Sequence, residues 1–436
     1  MIHFSRLIAQ HVFWRSLYYC SIFLINIIIS RYFKAEGSGW IFFIINNLSF
    51  LLLLMSFSLE SGASFYSSTL EISPQKVAGL CLSWAIAATL ICAFIVNGFE
   101  FEFRPYLSSR FEFIAATSAY IFGVLLTSYF SALFFAKQNF IIPNLLLLLV
   151  NLFLIGFIFL EKDEIYFAEH FVSVYFYSFL LQGVFIFLAY HIRYIDNDYF
   201  SFPSWLLIKK ILHYAAMALF ANVIFFLVYR VDFWLVKKFC SYNDLGNYIQ
   251  VSKLSQLLIL VPSIMASTIF PLVAGGRSDE IARALKIITR LLLFGISSLC
   301  VCLAIAGHWV FPWLLGESFN QMDLLFLLLI PGILALTAHY PLTAYFAGKK
   351  KIGTNIRGSL IGLIIIVMGD LIFLPIMGVK AAAIFSSIGY FSYYLYVLMR
   401  YRKEYGTGTR DFFLIKTSDW KWLVKTLSTT KTRKGE

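Results

Sequence analysis

Charge is scarce in this chain. Only 13% of its 436 residues are Asp, Glu, Lys or Arg, about half the roughly 25% of a soluble domain. Hydrophobic residues make up 60% and mean hydropathy is +0.80. An ordinary soluble domain of this length cannot bury so much apolar surface, and the same composition excludes a disordered or collagenous chain. Cysteine is rare too. Cys20, Cys81, Cys92, Cys240, Cys300 and Cys302 mostly sit inside apolar runs and form no Cys-x-x-Cys, so they read as free thiols with no zinc, redox or scaffold role. Two catalytic signatures are missing. Without Gly-x-x-x-x-Gly-Lys-Ser/Thr the chain does not hydrolyse ATP, and there is no His-Glu-x-x-His. No small-residue cleavage site follows the opening residues Met1–Gln10, so no removable signal peptide is expected.

Long apolar runs are what the chain has in abundance. They lie at about 12–33, 39–59, 77–97, 113–136, 141–160, 169–190, 210–236, 247–274, 285–310, 323–346, 355–378 and 380–401. A helix crossing a bilayer needs about 20 apolar residues, whereas a barrel strand needs about ten and alternates. The expected fold is therefore an all-α polytopic membrane protein with about twelve transmembrane helices.

The net charge of +12 reads as a topology signal rather than a nucleic-acid surface. With the N-terminus in the cytoplasm, thirteen Lys and Arg before the tail fall on inner segments and eight on outer ones, and the tail from Arg400 adds more inside. The positive-inside rule then puts both termini in the cytoplasm and favours an even helix count. Phe134-Phe135-Ala136-Lys137 with Asn144 resembles Tyr345-Phe346-Ala347-Gly348 with Asn355, at an offset of 211 residues. An even number of helices per repeat makes the halves parallel, an architecture transporters use. The expected domains are a six-helix bundle over 1–190, a polar cytoplasmic linker over 191–209, a second bundle over 210–401 and a basic tail over 402–436. Within the tail, Asp419 to Leu427 is either a short helix on the anionic inner leaflet or a solvated segment.

Charged residues inside the bilayer are costly and mark cavities or partners. Asp232 and Lys253, near the outer ends of neighbouring antiparallel helices, can meet as an ion pair that either locks the helices or gates an ion. Arg230 points away from Asp232 on the same helix and needs another partner or an anionic ligand, with Asn222 two turns earlier near its face. Asp370 has no local partner in Met368-Gly369-Asp370-Leu371. Asn46 and Asn47 lie at comparable depth and line an outer polar cavity or bond between helices. On the inner side Arg15 and Glu60 either pair or snorkel. Arg283, Lys286 and Arg290, spaced by three and four, form one basic stripe. It suits a phosphate or diphosphate, an anionic lipid, or topology alone. Pro262, Pro271, Pro331, Pro341 and Pro375 are hinges or static kinks. His191 and Asp196 fit an acyltransferase spacing weakly, and His339 reads as a core or cavity histidine.

An ordered series of motifs now resembles a known family. Ser58-Leu59-Glu60-Ser61-Gly62 opens it, followed by Phe135-Ala136-Lys137-Gln138-Asn139-Phe140, Tyr229-Arg230-Val231-Asp232, Gly246-Asn247-Tyr248 and Ile269-Phe270-Pro271. Leu315-Gly316-Glu317-Ser318-Phe319, Pro331-Gly332, Tyr345-Phe346-Ala347-Gly348 and Gly378-Val379-Lys380-Ala381-Ala382 complete it. Over nearly its whole length the chain resembles the Wzx-type polysaccharide-biosynthesis flippases of the multidrug/oligosaccharidyl-lipid/polysaccharide exporter superfamily. A departure is Lys380-Ala381-Ala382, where the family often has Gly-Ala-Ala. The resemblance implies a V-shaped transporter in the inner membrane that flips undecaprenyl-diphosphate-linked oligosaccharides for surface polysaccharides such as O-antigen, lipopolysaccharide, capsule or exopolysaccharide. It implies alternating access driven by a proton or sodium gradient, with no bound cofactor. Arg230 and Arg290 would neutralise the diphosphate, and Asp232 or Asp370 would take the ion, with Lys253 and Glu60 as further coupling or gating candidates. The implied partners are the lipid-linked oligosaccharide, membrane lipids, a polysaccharide polymerase and a chain-length regulator. Two other readings are a multidrug exporter of the same superfamily and a membrane polymerase or acyltransferase. The short outer loops count against the latter.

Overall fold

The computed structural model describes residues 2–68, 73–98, 109–161, 167–195, 204–274 and 278–406, together with 412, 416, 417 and 419. Every regular element among them is helical. The first six are α1 (Ile2–Ser56), α2 (Leu59–Ser68), α3 (Pro74–Gly98), α4 (Arg110–Ala136), α5 (Ile141–Glu161) and α6 (Phe167–Tyr194). Then come α7 (Trp205–Phe239), α8 (Tyr242–Ala274), α9 (Ser278–Leu315), α10 (Met322–Gly348), α11 (Ile352–Met377) and α12 (Val379–Tyr405). Among the described residues, 11 helical stretches are long and apolar enough to cross a membrane. Their large exposed side chains, such as Phe94, Leu160, Trp313 and Ile376, suit contact with acyl chains, because a helix satisfies its own backbone polar groups. The chain is a multi-pass membrane protein.

The first two expected helices appear as the single element α1. Its candidate span, Phe13–Ser56, has 44 residues, twice what one crossing needs. It is broken at Lys34, whose φ of 56° and ψ of −173° leave the helical region. The ten-residue α2, which carries Glu60, was not expected. It begins after a turn in which Phe57 and Ser58 both have positive φ, and Ser58 accepts the Ser61 N–H. Most of the expected linker (196–203), the loop 99–108, the side chain of Arg283 and the tail segment 420–427 lie outside the described residues.

The chain divides into two compact units, Met1–Tyr32 with Ile44–Val223, and Phe33–Phe43 with Ile224–Glu436. The division falls inside α7, beyond the polar segment 191–209. Each unit repeats one packing scheme. In the first, α4 is central and packs on α2, α3 and α6, with α5 against α6. In the second, α10 packs on α8, α9 and α12, with α11 against α12. Backbones come close where side chains are smallest. A Cβ on Gly123 would run into the α6 backbone at Phe179–Leu180, and one on Gly362 would lie 2.9 Å from the Gly389 carbonyl of α12. Small residues at such seams are how membrane helices pack without a hydrophobic drive.

The two turns after α4 and α10 share one hydrogen-bond scheme. Gln138 and Asn139 N–H bond to the Phe135 and Phe134 carbonyls, as Lys350 and Lys351 N–H bond to Ala347 and Phe346. Gln138 and Lys350 both have a φ of 58°. The turns therefore match at an offset of 212, whereas Asn144 and Asn355 keep 211, because the second turn is one residue shorter before its next helix.

Candidate functional site

Four helices of the second unit bring polar groups to one buried place. Asp232 of α7 is 1% exposed. Its Oδ2 accepts hydrogen bonds from the Tyr248 hydroxyl of α8 and, at 3.1 Å, from Ser386 Oγ of α12. Those two hydroxyls are themselves 3.1 Å apart. Oδ1 takes the Phe233 N–H at 2.9 Å. Asp370 of α11 is 0% exposed, and neither of its carboxylate oxygens has a hydrogen-bond partner among the described residues. The two aspartates act on each other electrostatically. Two carboxylates in an apolar interior cannot both stay charged without a proton or a cation between them. The arrangement is thus chemically suited to taking up and releasing one small cation.

The expected Asp232–Lys253 pair does not form. Asp232 spends its acceptors on Tyr248, Ser386 and Phe233, and the Lys253 Nζ instead lies over the Phe42 ring, 2.9 Å from its centroid. Cation–π attraction compensates part of the loss of water around the ammonium.

Arg230 faces a cavity of about 320 Å³ lined by Phe225, Phe226, Tyr229, Gln256, Ser263 and Tyr340, among others. Its guanidinium carbon sits 5.6 Å from the Phe226 ring centroid, and Tyr229 and Tyr340 stand in the wall beside it. An arginine beside aromatic rings and hydroxyls can hold an oxyanion and the face of a sugar. Asn222 does not line this cavity. It belongs to the first unit, where its Nδ2 donates to Ser58 Oγ at 3.1 Å.

The remaining candidates separate. Arg15 does not meet Glu60; it donates to Asn144 Oδ1 at 3.2 Å and to the Tyr19 hydroxyl at 3.4 Å, and lies over the Tyr18 and Tyr19 rings. Glu60 Oε2 is buried with no hydrogen-bond partner among the described residues. Asn46 is fully buried and Asn47 half-buried. Arg290 leaves the basic stripe. It is 6% exposed and forms an ion pair with Asp419 of the tail, while Lys286 stays half-buried on α9. His339 is buried, with neither ring nitrogen hydrogen-bonded among the described residues, 4.1 Å from the Tyr393 ring centroid, an environment that suits packing. All six cysteines are free. Tyr248 stands in the Gly246-Asn247-Tyr248 motif with no role legible from the sequence, no local pattern distinguishes Ser386, and Asp419, expected only as the start of a tail segment, instead pairs with Arg290.

These helices and their pairing define a known class of fold, that of the multidrug/oligosaccharidyl-lipid/polysaccharide superfamily of membrane transporters. A lipid II flippase MurJ in an inward closed conformation superposes with a TM-score of 0.68 at 17% identity, covering 94% of this chain and 89% of the other. An inward-facing multidrug resistance MATE family transporter gives 0.63 at 13% identity over 90% and 96%. A superfamily transporter from Pyrococcus furiosus gives 0.62 at 13% over 92% and 94%. No protein-family model matches the chain, and no curated protein does.

Proposed function

We propose that this chain is a flippase that carries undecaprenyl-diphosphate-linked oligosaccharide repeat units across the cytoplasmic membrane for surface polysaccharide assembly. The observation that carries the reading is Arg230 in its aromatic, hydroxyl-lined cavity, within a fold shared with a flippase of a lipid-linked cargo. A diphosphate needs a cation, and a guanidinium offers a planar fork to its oxygens. The carboxylates Asp232 and Asp370 take the coupling proton or sodium ion, so that transport by alternating access draws on an ion gradient. The two six-helix halves are the rocking bodies, and both termini lie in the cytoplasm, where the loop charges place them. A polymerase and a chain-length regulator receive the product on the far side. Deleting the gene should leave lipid-linked repeat units on the cytoplasmic face, measured by mass analysis of extracted lipids. A deletion strain with normal surface polysaccharide would sink this reading.

The likeness to MATE transporters favours one second reading, export of small amphipathic compounds. Drug resistance that tracks expression, with unaltered glycans, would support it in place of flipping.

A further inference from the structure

The tail is pinned to the second unit by a buried ion pair. Arg290 Nε donates to Asp419 Oδ2 at 2.8 Å and Nη2 donates to Oδ1 at 2.5 Å, and both side chains are withdrawn from solvent. Two further anchors hold the same segment. The Lys416 N–H donates to Asp419 Oδ2 at 2.8 Å, and the buried Phe412 meets the Tyr401 ring edge-on at 5.5 Å. Tyr401 in turn donates its hydroxyl to the Ala282 carbonyl of α9 at 2.9 Å. Arg290, which holds Asp419, also lines an open groove of about 390 Å³ between α9, α10 and α12. Leu293, Phe294, Leu334, Phe391 and Tyr394 give it apolar walls. Phe294 and Phe391 of its lining are exposed, and so are Val301, Ile305 and Trp309 further along α9.

A carboxylate held bidentately by the Nε and Nη2 donors of a guanidinium stands where two oxygens of a phosphate would sit. A guanidinium lining a groove whose other walls are mostly apolar matches a phosphate carrying acyl chains. We propose that Asp419 acts as an internal anion that competes with an anionic phospholipid for Arg290, so that lipid in the groove releases the tail. An apolar groove contributes nothing to binding free phosphate, and charge complementarity with a single guanidinium favours a head group of net negative charge. The inference does not depend on what cargo the protein carries.

Native mass spectrometry of the purified full chain tests it, with phosphatidylglycerol, phosphatidylcholine and inorganic phosphate as probes. Asp419→Asn should retain about fivefold more phosphatidylglycerol than wild type, or more, as expected of a coupled pair of sites. Phosphatidylcholine retention should not change, and Arg290→Gln/Asp419→Asn should cancel the gain. Equal retention by Asp419→Asn and wild type would overturn the proposal, as would a gain that survives loss of Arg290. Displacement of the lipid by equimolar inorganic phosphate would overturn the assignment to a lipid. The wild-type protein supplies an independent arm. In nanodiscs, trypsin should cut after Lys416 faster in phosphatidylglycerol than in phosphatidylcholine, and equal rates would contradict the release.

Discussion

Asp370 is the residue whose surroundings ask most for an explanation. A buried carboxylate without a hydrogen-bond partner destabilises a fold unless a proton or cation joins it. Asp370→Asn keeps the shape and removes the charge. Transport by this variant in vesicles should no longer depend on the ion gradient, while the thermal midpoint of the purified protein in cation-free buffer should rise. A variant that stays gradient-driven would move the coupling site elsewhere. Under the proposed function, Arg230 holds the cargo. Arg230→Ala should impair flipping, and Arg230→Lys should rescue it in part, because a lysine restores charge but not the planar fork. Full activity of Arg230→Ala would take the residue out of the cargo path. Asp419 gives a pH prediction with a definite sign. Burial alone would raise its carboxyl, but the bonds from Arg290 and from the Lys416 N–H outweigh this and hold it below the ordinary value. A carboxyl with a depressed folded pKa contributes stability above its unfolded value, about 3.9, and loses it as pH falls through the folded value. The protection factor of the Asp419 amide, its exchange rate divided into the intrinsic rate at each pH, should therefore stay flat from about pH 8 to 5 and fall only in stronger acid.

At the scale of elements, the break in α1 is a strained choice. Lys34 occupies a region of backbone space that glycine enters freely and lysine does not. Lys34→Gly should stabilise the protein by about 1 kcal/mol, within the 1–3 kcal/mol such strain costs, read as a higher thermal midpoint. The α11–α12 seam runs the other way. Gly362→Leu places atoms where the Gly389 carbonyl already lies and should cost about 1–3 kcal/mol. The apolar runs made most of this layer legible beforehand, because twenty uncharged residues have few alternatives to a spanning helix. The site was legible only where charge betrayed it. Asp232, Asp370 and Arg230 stood out because ionisable residues are rare inside a bilayer. Tyr248 and Ser386 did not, since tyrosine and serine occur all along the chain and only packing says which of them meets Asp232. The break at Lys34, the short α2 and the shorter second turn depend on backbone angles that hydrophobic spacing does not encode. Asp419 was hidden for a different reason, since a tail residue gives no sign that it folds back onto α9.

Across the whole molecule, one packing scheme appears in both units, yet their chemistry differs. The second unit holds Asp232 and Asp370, the Arg230 cavity and the Arg290–Asp419 pair, and the first holds Arg15 on Asn144 and Glu60, whose Oε2 has no hydrogen-bond partner among the described residues. A duplicated bundle with unequal polar content suits a transporter in which one half binds the ion and both halves move around the cargo. Purified protein in sealed vesicles, loaded on one leaflet with undecaprenyl-diphosphate-linked oligosaccharide and given an ion gradient, tests this most directly. An impermeant lectin reports the sugar that reaches the opposite leaflet. The account predicts gradient-dependent appearance of sugar with wild-type protein and little with Arg230→Ala. Vesicles in which no lipid-linked oligosaccharide moves, while a small amphipathic cation is exported, would contradict it.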